Sequence, residues 1–340
     1  MKLISFAIPS YNSEKYLRHA VDSILTGGDE VEIIIVNDGS TDGTAAIADD
    51  YAARYPTIVR AIHKENGGHG SGVNRGLKEA TGVYFKVVDS DDWVDEKALQ
   101  ELLSTIRGHI SRGIEADLYI TNYVYEHVED NTRSIRSWSR QLPENRLFGW
   151  DEVKGFHFAQ VMMMHSLLYR TQAIRSSGIV LPEHTFYVDS LYAYVPLPKM
   201  KRMYYLDVNL YRYYIGRADQ SITMENVRKR YDQQIRVTQA MFDSYSFEEL
   251  QAMPRGLCRY MLHCLAALTM VTQFCCCGDD PERKEAYEAF LAHIKERDPK
   301  MYAYITRRSM MTTVCWMPWG MRSATVASGY QVLCKIVKLG

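Results

Sequence analysis

A short acidic run is the first place where residue types and spacing point to chemistry. The stretch Phe85 to Trp93 reads FKVVDSDDW, so a buried, β-branched strand leads directly into Asp89, Asp91 and Asp92. Three carboxylates within four residues repel one another unless something positive lies among them. The run therefore predicts a positive partner at the end of this strand.

Polar, turn-rich segments also follow the other strands predicted in this part of the chain. PSYN follows the first strand, NDGSTDGT the second and KENGGHGSG the third. Ligands of an open parallel sheet bind beyond the carboxyl ends of its strands. The ordinary polarity of α/β loops explains any single loop equally well, but the four together indicate one ligand site. The glycines of the third loop match neither G-x-G-x-x-G nor a P-loop, which excludes dinucleotide-binding and Walker-type sites.

The elements that must position these loops alternate between strand and helix over residues 1–125. Continuous apolar runs predict buried strands, and apolar residues at helical spacing predict helices. The predicted strands are Leu3–Ile8, Val31–Val36, TIVRAIH, VYFKVV and Asp117–Val128. The predicted helices are Ser13–Leu25 with Ser13 as N-cap, Thr41 or Asp42 to Tyr55, Asn74–Ala80 and Glu96–Ile110. This alternation predicts an α/β fold with a mostly parallel sheet.

The regular alternation of strand and helix patterns ends at about residue 130. Residues 131–150 are predicted as an elaborated loop, and Val161–Arg170 and Arg202–Asp207 as strands that complete the sheet. After residue 222 the pattern predicts helices at Glu225–Tyr245, Glu248–Cys277, Pro281–Arg297 and Tyr330–Lys338. We therefore divide the chain into residues 1–125, residues 126–222 of the same catalytic domain, and a helical region at 223–340.

Composition limits the classes of protein to consider. The 340 residues carry a formal net charge of -1, which excludes a general nucleic-acid binder because no basic excess is available for phosphates. The N-terminal apolar run is too short for a signal peptide, and no window of about 18 apolar residues exists to span a bilayer. All seven cysteines lie at or beyond Cys258, which indicates a reducing cytoplasm rather than a disulfide framework. The adjacent Cys275, Cys276 and Cys277 favour small packed side chains over a metal site.

Four motifs together identify a family. IPSYN, VNDGSTDGT, NGGHGSGVNRGL and VVDSDDW, in this order and spacing, resemble the family 2 glycosyltransferases of the GT-A fold. The resemblance is strong over residues 1–125 and looser up to about 222. It implies a GT-A type mostly parallel sheet flanked by helices, with a C-terminal helical extension. It also implies an inverting enzyme of cell-envelope or surface-glycan synthesis, which moves a sugar from a UDP-sugar to a hydroxyl of a glycan or lipid-linked acceptor.

The resemblance supplies a positive partner for the acidic run. Asp89-Ser90-Asp91 resembles the D-x-D motif of the family, in which the acids meet a divalent cation and the ribose of the nucleotide. Hard oxygen ligands suit Mn²⁺ or Mg²⁺. The match makes Asp91 the expected metal ligand and gives Asp89 the ribose or a metal-bound water. Asp92 is either the ligand in place of Asp91 or the N-cap of the next helix.

Further matches imply residues that contact the nucleotide. Tyr11 resembles the aromatic that stacks on the base, and Asp38 the carboxylate that accepts the uracil N3 hydrogen. Pro9, Ser10 and Asn12 shape the same loop, although Asn12 is equally explained as a turn-stabilising amide.

The glycine-rich segment implies a second set of nucleotide contacts. Gly67 to Gly72, with Gly68 among them, would let the backbone approach the nucleotide. His69 is either a ligand contact or an exposed loop residue. Asn74 and Arg75 resemble a further nucleotide-binding segment, and Arg75 is equally a helix-surface cation.

The catalytic carboxylate is implied by LPEHTFYVDSLYAYVPL. This segment resembles the one that carries an acidic pair in the family, but Val188 replaces the first acid and leaves Asp189 as the base. Arg217, in RADQSIT, is expected to face phosphate. His165 is expected on the acceptor side, unless it is a core histidine satisfied by the backbone.

The tail and two other protein classes remain open. Residues 299–340 carry basic and aromatic residues and no acid, which indicates contact with a membrane surface or a partner, or simply a packed basic helix. We therefore expect a cytoplasmic protein that is peripheral on the inner face of the membrane if the tail binds lipid. A sugar-phosphate nucleotidyltransferase would need a phosphate loop after the first strand, which PSYNSEKYLR lacks. A noncatalytic nucleotide-sugar or glycan-binding module would not need Asp189 and the D-x-D motif.

Overall fold

The chain divides into two units, each described separately below. The computed structural model describes residues 1–128, 130–157, 160–216, 224–307, 314 and 317–337. The first unit is Met1–Val153 with Met162–Gly216, and the second is Lys154–Val161 with Arg217–Gly340. The boundaries predicted at residues 125 and 222 stay a prediction.

One mixed sheet forms the centre of the first unit. Its strands are β1 (Ile4–Ser10), β2 (Val31–Asp38), β3 (Val59–Lys64), β4 (Tyr84–Val87), β5 (Trp93–Val94), β6 (Leu118–His127), β7 (Thr132–Arg136), β8 (Leu147–Phe148), β9 (Leu167–Arg170) and β10 (Met203–Ile215). They lie in the order β3-β2-β1-β4-β9-β6-β10-β5, with β7 beside β6 and β8 beside β10. The pairs among β1, β2, β3 and β4 and the pair of β6 with β10 are parallel, whereas β9 runs antiparallel between β4 and β6. The α/β fold with a mostly parallel sheet is confirmed.

Register places the polar loops at one edge of this sheet. Every residue of β1 and β2 is buried, as their continuous apolar runs predict. The two strands pair from Ile4 with Val31 to Ser10 with Asn37, so their following loops leave the sheet side by side. β4 pairs with β1 up to Val87, and the acidic run begins two residues later. The loops that carry the candidate chemistry therefore meet at the carboxyl edge of β1, β2 and β4.

Of the four predicted helices of the first unit, the last begins at Glu96 as predicted, whereas the three before it begin at other residues. The helices of this unit are α1 (Leu17–Leu25), α2 (Thr44–Arg54), α3 (His69–Glu79), α4 (Glu96–Ser111), α5 (Thr171–Ser176) and α6 (Asp189–Tyr194). Ser13 does not cap α1, because its carbonyl closes a preceding turn by accepting from the backbone of Tyr16 and Leu17. α3 begins at His69 rather than Asn74, so most of the glycine-rich segment is helical. Asp95, not Asp92, caps α4 by accepting from the Ala98 amide at 3.0 Å.

Three predictions for the middle of the chain need correction. Residues 131–150 are not simply a loop, since they contain β7, whose mostly polar side chains hide the strand pattern, and β8, which is only two residues long. Of Val161–Arg170 only β9 is a strand, and a short 3₁₀ turn precedes it. β10 continues eight residues past the predicted end at Asp207, through an irregular register against β6.

The described part of the second unit after residue 223 is mainly helical, as predicted. Its helices are α7 (Met224–Lys229), α8 (Tyr231–Ser244), α9 (Phe247–Ala252), α10 (Arg255–Cys276), α11 (Pro281–Arg297), α12 (Pro299–Arg307) and α13 (Trp319–Val337). The first predicted helix is split at Arg230, the second is split at Pro254, and the last begins at Trp319 rather than Tyr330. The cysteines of α10 and Cys277 are buried free thiols, in keeping with the packing interpretation. In the described part of the chain, no helix combines the length and apolar character that a bilayer crossing needs.

Candidate active site

Asp89 lies just beyond β4 between two histidines. The Nε2 atom of His69 is 2.8 Å from Asp89 Oδ1, and that of His165 is 3.9 Å from Oδ2. Burial opposes ionisation of Asp89, but the charge and hydrogen bond of His69 outweigh it and lower the pKa of the carboxyl. Burial also works against the His69 imidazolium, and Asp89 outweighs it and raises the pKa of His69. His69 thus pairs with the acidic run through a hydrogen bond that favours its charged form, and it is not simply an exposed loop residue.

Asp92 is buried and anchored by β10. Its Oδ2 accepts from the Tyr211 hydroxyl at 2.6 Å, and its Oδ1 accepts from the Tyr214 amide at 2.8 Å. Burial, together with the charges of Asp91 and Asp89, raises the pKa of Asp92 well above its usual range. A further positive charge beside Asp92 would oppose this shift.

Asp89, Asp92 and His165 form a group that could hold a metal ion. One ligand atom from each lies within 4.8 Å of the others. Burial lowers the pKa of His165 to about 4, so its imidazole is neutral and keeps a lone pair at neutral pH. Asp91, the ligand expected from the motif, is partly buried and outside this group.

The donors of this group fit a divalent cation. Bringing a cation to Asp89 and Asp92 would compensate the charge that otherwise favours protonation of Asp92. The nitrogen of His165 departs from the all-oxygen shell that Mg²⁺ prefers. Among the described residues, His165 Nδ1 has no hydrogen-bond partner, so His165 is not a core histidine satisfied by the backbone.

Asp38 is buried at the end of β2 and holds the glycine-rich segment. Its Oδ1 accepts from Lys64 Nζ at 2.6 Å and from the Gly67 amide at 3.0 Å, while Oδ2 accepts from the Gly68 amide at 2.7 Å. A carboxylate has about four acceptor positions, so these contacts leave little capacity for another donor. The uracil contact expected of Asp38 stays a prediction.

The loop after β1 contributes one exposed aromatic ring. Tyr11 is 54% exposed, which leaves its face open to a ligand. Asn12 has a φ of 49°, and its side-chain oxygen accepts from the Thr41 amide at 2.9 Å, as the turn-stabilising alternative requires. Ser90 hydrogen-bonds to Ser13 at 2.6 Å between the two hydroxyl oxygens, which ties the acidic run to this loop.

Two further residues expected at the nucleotide are buried at this edge. Ser10 turns its hydroxyl to the Ile8 carbonyl at 3.1 Å, and Pro9 packs against Gly72 of α3. Their contribution to the site is to shape the end of β1. A nucleotide contact from either residue stays a prediction.

Asp189 is the first residue of α6 and is partly buried near the acidic run. Burial raises the pKa of Asp189 to about 6, and the charge of Asp89 adds to this, while His69 acts in the opposite direction. The two carboxylates and the histidine therefore lie within electrostatic reach of one another. A carboxyl with this pKa is largely ionised at neutral pH yet basic enough to accept a proton.

The glycine-rich segment contacts protein where a nucleotide was expected. A methyl group on Gly70 would lie 2.6 Å from the Pro182 carbonyl oxygen, so this glycine allows the loop before Asp189 to approach. The Asn74 amide pairs with the backbone of Leu181 in both directions, at 2.8 and 2.9 Å. The nucleotide contact predicted for Asn74 stays a prediction, although these bonds occupy both ends of its amide group.

Two expected cations have different outcomes. Arg75 is exposed and pairs with Glu79 one helical turn on, with its Nε 3.1 Å from Glu79 Oε1, as the surface-cation alternative predicts. Arg217 and the rest of the segment 217–223 lie outside the described residues.

Sequence reasoning missed two residues that support the acids. Lys86, fully buried on β4, donates to the carbonyls of His165 at 2.7 Å and Leu167 at 3.3 Å, and burial lowers its pKa to about 7. The sequence feature that could have indicated this role is a lysine inside an otherwise apolar strand. Tyr211, which also accepts from the Asp89 amide at 3.1 Å, lies beyond the predicted end of the strand and gave no signal.

Comparison with known families agrees with this fold. Residues 5–170 match the family described as Glycosyl transferase family 2. This part of the chain belongs to that family, and the whole has a GT-A type α/β fold with a C-terminal helical region.

Two curated proteins of Bacillus subtilis (strain 168) are similar in sequence. The putative glycosyltransferase EpsH is 37% identical over 135 residues, which cover 39% of this chain and 37% of EpsH. The uncharacterized glycosyltransferase EpsJ is 30% identical over 218 residues, which cover 62% of this chain and 60% of EpsJ. The chain therefore spans less than two thirds of the length of either relative.

A solved structure extends the similarity to nearly the whole chain. The S. aureus TarS 1–349 structure in complex with UDP-GlcNAc has a TM-score of 0.63 and covers 97% of this chain and 92% of that chain. At 18% identity this similarity describes the fold alone.

Proposed function

We propose that the protein is a metal-dependent, inverting glycosyltransferase that moves a sugar from a UDP-sugar to an acceptor hydroxyl. The observation that carries the proposal is the position of Asp189, with its raised pKa, beside the group Asp89, Asp92 and His165. Support for the reaction class comes from the family match over residues 5–170, and support for the donor from the UDP-GlcNAc complex of TarS.

The carboxyl edge of the sheet would bind the donor. Tyr11 offers an open aromatic face for the base, and Asp38 is the acid expected to read the uracil. Asp89 and Asp92, with His165 or Asp91, would hold Mn²⁺ or Mg²⁺. When bound, such an ion stabilises negative charge that develops on the diphosphate leaving group.

Asp189 would act as the general base. Inversion requires one direct attack by the acceptor oxygen, and a hydroxyl is a poor nucleophile until a base takes its proton. Asp189 suits this task because its raised pKa makes it a better proton acceptor than an ordinary aspartate, and most of it remains ionised at pH 7. His69 keeps the neighbouring Asp89 ionised, so the two carboxylates retain separate roles.

The acceptor and the cellular place of the reaction are inferred from the family resemblance. A glycan or lipid-linked acceptor in cell-envelope or surface-glycan synthesis follows from it. Contact of residues 299–340 with a cytoplasmic membrane surface would bring the site to such an acceptor.

The test is a donor screen followed by one substitution. UDP-sugars with Mn²⁺ are screened by thermal shift, and the stabilising donor is then used for turnover and UDP-release assays. Asp189→Asn should retain donor binding and lose roughly 10²-fold or more in kcat, because it keeps size and loses basicity. Asp29→Asn, at an exposed acid, is the matched control. Near-parental turnover of Asp189→Asn, or a product of the retained anomer, would contradict the proposal.

A further inference from the structure

Resting on that function, we propose that Asn74 is a positioning residue that holds the loop carrying Asp189 against the donor-binding edge of the sheet. Residues 181–188 lead into Asp189 and α6 and are called the Asp189 loop below. Asn74 lies on α3, two residues after the glycine-rich segment 67–72. It touches no reacting atom in this role and acts through Asp189.

The side-chain amide of Asn74 makes the pair of hydrogen bonds to the Leu181 backbone that a residue of a neighbouring β-strand would make. Its Nδ2 donates to the Leu181 carbonyl at 2.8 Å, and its Oδ1 accepts from the Leu181 amide at 2.9 Å. One side chain thus satisfies both backbone groups of a loop residue that is 107 positions away in sequence. Loss of the amide would leave two partly buried backbone groups of the Asp189 loop without this partner.

Two more hydrogen bonds join the same loop to the same segment. The His184 amide donates to the Gly67 carbonyl at 2.7 Å, and the buried Ser71 hydroxyl donates to Glu183 Oε1 at 2.8 Å. The close approach of Pro182 to Gly70 leaves no room for a side chain between them. The first half of the Asp189 loop, residues 181–184, is therefore attached to the glycine-rich segment as well as to Asn74.

The backbone of the Asp189 loop needs this external support. His184 and Tyr187 have φ values of 47° and 66°, a left-handed conformation that is unfavourable for residues other than glycine. Such conformations persist where surrounding contacts over-determine them, and they concentrate at functional sites. Removing one of the attachments should let the loop relax away from the geometry that places Asp189.

The attachment also connects the donor-binding edge of the sheet to the proposed general base, Asp189. Asp38 accepts from the amides of Gly67 and Gly68, and the carbonyl of Gly67 holds His184. The segment that Asp38 orders is thus the segment that holds the Asp189 loop. Asn74 adds two hydrogen bonds to this link from one short side chain.

The experiment measures loop protection, UDP affinity and turnover on the full chain. Asn74→Ala is compared with the parent and with Lys78→Ala, a control at an exposed position of the same helix. Hydrogen exchange of peptides covering residues 181–188 should be about threefold to tenfold faster in Asn74→Ala, as expected for the loss of one or two hydrogen bonds. UDP affinity should stay within about twofold, and kcat should fall roughly 10-fold to 100-fold with little change in the donor KM.

A second variant perturbs the same contact from the other side. Gly70→Ala removes no hydrogen bond but pushes against the Pro182 carbonyl, so it should produce the same pattern of faster exchange and reduced kcat. Unchanged exchange of residues 181–188 in both variants would overturn the proposal. A parallel loss of UDP affinity in Asn74→Ala would overturn it in favour of a direct nucleotide contact. Exchange does not depend on glycosyl transfer, so a protein with no turnover on any UDP-sugar would refute the proposed function and leave this link to be judged by exchange alone.

Discussion

Replacing Lys86 should change how the stability of the protein depends on pH. Lys86 is fully buried on β4, where burial lowers the pKa of its ammonium group from 10.5 to about 7. Between these two pH values the unfolded chain binds a proton at this lysine and the folded protein does not. The free energy of unfolding therefore rises with pH across this window, by up to about 1 kcal/mol per pH unit from Lys86 alone.

The Lys86→Met variant removes this contribution and keeps a side chain of similar length. It also removes the donor to the His165 and Leu167 carbonyls, which adds a destabilisation common to every pH. The difference between parent and variant should consequently grow in favour of the parent from pH 7.5 to pH 9.5. Over these two pH units the change amounts to roughly 2 kcal/mol.

Urea unfolding followed by tryptophan fluorescence measures this difference at several pH values. Lys78→Met, at an exposed lysine of α3, is the matched control and should run parallel to the parent. Parallel curves for the parent and Lys86→Met across the whole window would refute the reasoning, because Lys86 would then titrate alike in both states.

Three other predictions concern the ligand side of the protein. Asp38→Asn should weaken the preference for uracil, which competition among UDP, CDP and GDP measures. If UDP outcompetes CDP and GDP as strongly as it does in the parent, Asp38 does not recognise the base. Asp92→Asn should reduce the Mn²⁺ dependence of UDP binding more than Asp91→Asn does, because Asp92 belongs to the cluster of possible metal ligands. Calorimetry of UDP binding with and without Mn²⁺ measures the two effects. A larger effect of Asp91→Asn would restore Asp91 as the ligand. Deleting residues 308–340, which leaves α12 in place, should abolish salt-sensitive binding to anionic vesicles. Binding that survives the deletion, or that does not weaken with salt, would contradict the membrane prediction.

The predictable part of the fold rests on local patterns. The strands β1 and β2 follow from apolar runs that are buried on both faces, and their polar continuations mark the ligand edge. The carboxylates Asp89 and Asp189 could be selected because each lies in a recognisable motif. In both cases the information lies within a few neighbouring residues.

The parts that could not be predicted depend on contacts between distant segments. α3 includes glycines, against helix propensity, because it lies close to β1: a methyl group on Gly72 would lie 2.8 Å from Pro9, and one on Gly76 would lie 2.5 Å from Ala7. The pairing of Asn74 with Leu181 joins residues far apart in sequence, and no local pattern announces it. Likewise, the anchoring of Asp92 by Tyr211 depends on the part of β10 that continues past the predicted end at Asp207.

The position of β9 has a consequence for the order in which the chain folds during synthesis. β1 to β4 pair with one another within the first 87 residues of the chain, but the other edge of β4 is covered by β9, about eighty residues later. An uncovered strand edge is a template for pairing with other chains. A nascent or truncated chain that ends before Leu167 therefore presents the backbone of Tyr84 and Phe85 to its neighbours. Synthesis of β9 is the step that ends this exposure, and chaperone binding before it would protect the growing protein from aggregation.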